Sequence, residues 1–169
     1  MSEPVFGASD PASTRNDVFN RYLDSFRARI IEGVEGLPEH EVRRSRLASD
    51  WTPLELVKHL TFVELRWLEW GFEGQDVPDP WGDRRDDRWF VASSESRADV
   101  IAGLNAQAER SRAIIESNDL AAQAPPGPRF KHGEPPTLER ILLHVLQEYA
   151  QHLGHLEVVV EIARAPDNL

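Results

Sequence analysis

The stretch LLHVLQEYAQHLGHLEVVVE, residues 142–161, holds three of the chain's six histidines and repeats its apolar residues at three- and four-residue steps. That spacing predicts an amphipathic helix, running from near Thr137 to about Ala163 with Pro166 as its stop. At about 100° per residue, with His144 at zero, Glu148 falls at about 40°, His152 at about 80° and His155 at about 20°. Val145, Leu156, Tyr149 and Leu153 occupy the arc from about 100° to about 180°, where the apolar face lies. His152 is therefore the histidine nearest the core, Glu148 comes next, and His144 and His155 lie at the edge. Ile141, Val145, Glu148, His152, Leu156 and Val159 form one seam, in which a carboxylate and an imidazole sit one turn apart.

Working outward, three further segments read as helices. Phe19, Leu23, Phe26, Ile30 and Val34 mark one from about Asp17 to Val34, stopped by Gly-Leu-Pro at 36–38. A second opens at SDWTPLE, residues 49–55, where Thr52 can cap, Pro53 suits the first helical position and Glu55 completes a capping box. It extends to about Trp70. A third spans Ser96 to Ser117, with Ser96 and Asp99 as its capping pair. Between the second and third lies GFEGQDVPDPWGDRRDDRWFVASS, residues 71–94, too long for a tight turn and read as an irregular crossover or a lid. Strand-like alternation is absent. The expected fold is all-α, a four-helix bundle in which the long connection lets helices two and three run parallel. Residues 1–15 are expected to be a flexible tail and 16–169 a single domain.

Composition narrows the function. The 169 residues carry 19 Lys and Arg against 29 Asp and Glu, a formal charge of −10. A phosphate backbone calls for a basic patch, so a nucleic-acid partner is not expected. The chain has no cysteine, so any thiol chemistry needs a thiol cosubstrate. MSEPVFGASDPASTRND, at the start, lacks the pattern of a signal peptide, and no apolar run is long enough to span a membrane. A cytoplasmic protein is expected.

The second helix matches the oddity of the last. Leu56, His59, Val63, Trp67 and Trp70 share a seam on which His59 is the strongly polar member. A buried carboxylate needs a cation or a strong donor. Glu148 and His152 can share one metal ion, with His59 from a facing helix as a third ligand. Two histidines and a carboxylate suit zinc, and also nickel, manganese or ferrous iron, and leave a coordination position open. A buried histidine–glutamate hydrogen-bond network is the other arrangement these residues allow. The Glu-x-x-His pairs of a di-iron bundle are absent from these seams.

The two motifs WTPLELVKHLTFVELRWLEWGFEG, residues 51–74, and LLHVLQEYAQHLGHLEVVVE together resemble the DinB/YfiT-like superfamily over about residues 16–164. The likeness is to its actinobacterial-type branch, which includes mycothiol-dependent maleylpyruvate isomerase. The resemblance implies an up-down-down-up four-helix bundle and one divalent metal, held here by His59, Glu148 and His152. Glutamate at 148, where many relatives have histidine, sides with the mycothiol-dependent branch. The resemblance also implies activation of a low-molecular-weight thiol, mycothiol or bacillithiol, for transfer or isomerisation. The isomerase has a further C-terminal domain and this sequence stops at Leu169, so isomerase activity is not expected. Metal-dependent hydrolysis and a non-catalytic metal-binding stress or interaction role are the alternatives. Homodimerisation through a bundle face is compatible with each.

Four further residues are candidates around the metal. His155 is placed to orient a ligand. Trp67 and Trp70 can line a pocket or belong to the core. Arg88, in WGDRRDDRWF at 81–90, can meet the carboxylates of a thiol cosubstrate or sit in a solvated mixed-charge loop.

Overall fold

The computed structural model describes residues 6–165. Pro166, the expected stop of the last helix, and the first five residues of the expected tail lie outside them. The described chain is mostly helical, with little strand: α1 (Arg15–Glu35), α2 (Glu39–Val42), α3 (Pro53–Glu64), a π-helical continuation (Leu65–Phe72), β1 (Arg84–Arg85), β2 (Arg88–Trp89), α4 (Arg97–Ser117) and α5 (Leu138–Arg164). The short α2 was not signalled by the sequence pattern.

Local chemistry sets the boundaries. Thr14, Thr52, Ser96 and Thr137 each cap a helix through their side chains. Thr52 with Glu55, and Ser96 with Asp99, form reciprocal capping boxes, which satisfy two otherwise orphaned donors at each start. Beyond Glu64 the hydrogen bonding loosens, and Glu73 N donates to Leu68 O across five residues at 2.9 Å. Such π-helical turns are frequent at functional sites.

The four long helices bury a continuous apolar core that includes Leu23, Ile30, Leu56, Leu60, Leu104, Ile114, Val145 and Leu156. α3 packs on α4 and α5, and α1 packs on α5 and α4. Phe6 lies against Tyr22 edge to face at 4.9 Å, and its N–H donates to Ser25 Oγ at 3.1 Å. No described helix is long and apolar enough to cross a membrane.

One expectation for α1 changes. Arg27, not Phe26, takes the deep position between Leu23 and Ile30. Its guanidinium donates to both oxygens of Glu64, at 2.9 and 2.8 Å. Tyr149 Oη donates to the same carboxylate. A charge reaches the core here because its partner is buried with it.

The segment 71–94 is also more ordered than an irregular connection. Arg84 pairs with Trp89 and Arg85 with Arg88 in an antiparallel hairpin. Asp86 and Asp87 at its tip have φ of 52° and 61°, as a two-residue type I′ turn requires. Phe90 N donates to Asp83 O at 2.8 Å and extends the pairing by one residue. Lys58 on α3 holds Glu95 at 2.8 Å, tying the far end of this segment to the helix that carries His59.

Candidate metal centre

His59 from α3 and Glu148 and His152 from α5 converge: one ligand atom from each lies within 4.8 Å of the other two. The i, i+4 spacing on α5 stacks Glu148 beneath His152, with His152 Nε2 3.3 Å from Glu148 Oε2. His59 Nε2 approaches the same oxygen at 3.9 Å. Both histidines are buried, and Glu148 is half-buried.

A hydrogen-bond relay fixes His59. Its Nδ1 lies 3.0 Å from Asp83 Oδ2. Asp83 is fully buried and also accepts from both terminal nitrogens of Arg66, at 2.7 and 3.2 Å. Burial pushes the Asp83 carboxyl up, but hydrogen bonds from His59 and Arg66 outweigh it and hold the group below the ordinary Asp value. An ionised carboxylate only accepts, so His59 Nδ1–H donates to Asp83, and Nε2 is the ring atom left to face the cluster and to coordinate a cation. Outer carboxylates orient ligating imidazoles in this way at metal sites.

Three histidines surround Glu148. His152 and then His59 hold its carboxyl well below the usual carboxylate range, against the effect of burial. His144 Nε2 stands 3.3 Å from the other oxygen, Oε1, so a histidine expected at the edge of the face reaches the cluster. Among the described residues no lysine or arginine pairs with Glu148. A half-buried carboxylate whose partners are imidazoles, beside an imidazole nitrogen freed by its own carboxylate, fits a divalent cation. Two nitrogens and a carboxylate would leave at least one coordination position for an exogenous ligand.

Aromatic rings wall the cluster. Trp89 stacks on His59 at 4.2 Å and meets His152 edge-on at 5.3 Å. Trp67 packs against His144 at 4.4 Å. Trp67 and Trp70, both on the π-helical continuation, are half-buried. His155 is exposed, and it touches the edge of the His152 ring at 5.7 Å between centroids. Arg88 points away to an exposed ion pair with Asp50.

Residues 18–165 match the family model described as Mycothiol-S-transferase. The chain belongs to that family. No curated protein matches it. The family match spans all the cluster residues and their hydrogen-bonded partners, and it bears out the likeness to the DinB/YfiT-like superfamily.

Sequence periodicity did not reveal Asp83, Arg66 and Trp89 as parts of the site. Arg66 had a signal: it lies seven residues after His59, two turns along one helix face. Asp83 had none, since it arrives from a segment without periodicity. Asp83→Asn is expected to weaken metal affinity by about 10–100-fold while retaining the helical circular-dichroism spectrum. Competition against a chromophoric chelator measures this, and unchanged affinity would make Asp83 a structural residue alone.

Proposed function

We propose that this protein is a metal-dependent S-transferase that activates a low-molecular-weight thiol of the mycothiol type. Its four long helices are read as a DinB-like bundle of up-down-down-up course, in keeping with the pairings of α3 and α1 with α4 and α5. The observation that carries the functional reading is the three-residue donor set, in a chain of the Mycothiol-S-transferase family that has no cysteine.

His59, Glu148 and His152 would hold the cation, with zinc the best fit to this donor set. When bound, it supplies a Lewis acid that lowers the pKa of a thiol and makes a thiolate available at neutral pH. Asp83 keeps His59 in the ligating tautomer, and Arg66 keeps Asp83 ionised. Trp89 shields the ligands from bulk water, which strengthens electrostatic interactions beneath it. In the transfer the thiol gives its proton to solvent. Its sulfur then forms a bond to the electrophilic carbon, and the leaving group departs with the electron pair.

Calorimetry with mycothiol tests the proposal. Metal-loaded protein is expected to show saturable binding that disappears after chelation. Absence of heat at millimolar thiol would reject thiol activation in favour of hydrolysis or a non-catalytic role.

A further inference from the structure

Arg129 lies in the connection between α4 and α5 and is half-buried, yet among the described residues its guanidinium has no carboxylate and no hydrogen-bond acceptor. Its Nε is fully enclosed and unsatisfied. That is anomalous in a chain with ten more acidic than basic residues, because a desolvated cation normally brings its counter-charge with it. The guanidinium instead lies 4.2 Å over the Trp67 ring and 5.7 Å from that of Trp70.

The position is built. Leu138 N donates to Ala122 O and Ala124 N to Pro136 O, at 2.9 and 3.0 Å, clamping both ends of the connection. Phe130 seats on the π-helical continuation at Gly71, where a Cβ would come within 3.3 Å of its ring. Burial and the nearby Arg66 charge both disfavour the Arg129 cation, and Arg66 is already occupied by Asp83. Trp67, the ring beneath Arg129, also packs on His144, which contacts Glu148. The unpaired guanidinium thus lies one indole and one imidazole from the metal ligands.

We propose that Arg129 is a carboxylate-binding subsite beside the metal cluster, with its guanidinium seated on Trp67 and the indole edges of Trp67 and Trp70 flanking the ligand. The planar fork suits two parallel hydrogen bonds to a carboxylate, and the indoles suit an aromatic or apolar body attached to it. The preference is for substrates pairing an anionic end with an apolar segment. The carboxylate belongs to the electrophile, because mycothiol itself carries none. The placement beside a thiol-transfer centre rests on the function proposed above; the anion site itself does not.

Benzoate is the probe, followed by tryptophan fluorescence in full-length, chelator-treated protein, so that neither metal nor thiol contributes. Saturable quenching by benzoate is expected, with at least tenfold weaker binding of the neutral isostere benzamide. Arg129→Met is expected to weaken benzoate at least tenfold, and Arg129→Lys to recover part of the loss. Chelator-competition metal affinity should stay unchanged in both variants, which shows that the site is intact. Equal binding of benzoate and benzamide, or benzoate binding insensitive to Arg129→Met, would overturn the proposal. With metal-loaded enzyme, benzoate is expected to compete against the electrophile, which assigns the carboxylate to that substrate; competition against mycothiol alone, which has no carboxylate, would contradict the assignment. Competition against neither would overturn the placement beside the reacting centre. If no thiol transfer is found at all, the fluorescence result still stands or falls alone.

Discussion

His152→Ala is expected to abolish stoichiometric zinc or nickel binding, whereas His155→Ala leaves it intact. Removing His152 leaves His59 and Glu148 as donors, and two donors cannot close the three-atom cluster that spans 4.8 Å. The loss should exceed the roughly 10–100-fold effect of deleting an outer partner. His155 meets His152 by a ring contact from an exposed position, so its removal takes away no donor. Elemental analysis after dialysis gives the stoichiometry. A thermal melt gives a second reading, since a cation at a hundred times its Kd adds about 2.7 kcal/mol to the folded state. Zinc should raise the Tm of the native protein and of His155→Ala, but not of His152→Ala. Full metal content in His152→Ala would show that the ligands lie elsewhere.

Arg27→Met is expected to be the most damaging single change away from the candidate metal centre, costing about 3–5 kcal/mol. It strands the Glu64 carboxylate, which is fully buried, with Tyr149 as its remaining donor. Burial opposes the Arg27 charge, but the Glu64 carboxylate outweighs it and raises the Arg27 pKa. Burial and then Glu64 push the Tyr149 hydroxyl well up, so it stays protonated and donates. For a chain of this size the cost corresponds to a Tm lower by roughly 10 °C. The triple replacement Arg27→Met, Glu64→Leu, Tyr149→Phe removes all three polar groups and should recover most of the stability. Urea denaturation of the two variants measures both effects. A triple variant no more stable than Arg27→Met would show that packing, not the stranded charge, sets the cost.

These two experiments also mark where the sequence was informative. Glu148 and His152 could be read because an α-helix has a fixed period and both fall on an otherwise apolar seam. His59 could be read for the same reason on α3. Helical period fails where charges are buried in pairs: Arg27 sits deeper than Phe26 because Glu64 and Tyr149 lie opposite it, and nothing local to α1 records them. It fails again at Asp83 and Trp89, which reach His59 through a hairpin whose two-residue strands are too short to show alternation. The π-helical turn is a third case. It leaves Trp67 and Trp70 half-buried, although both continue in sequence the seam on which Leu56, His59 and Val63 are buried.

The most direct test of a metal-activated thiol is the X-ray absorption spectrum of the zinc-loaded protein, recorded before and after adding mycothiol. The expected spectrum without thiol has nitrogen and oxygen neighbours alone, with the multiple scattering of two imidazoles. Adding mycothiol should introduce one sulfur at about 2.3 Å. A spectrum that stays free of sulfur at saturating thiol, or one with a fourth protein ligand closing the site, would contradict the proposed role of His59, Glu148 and His152.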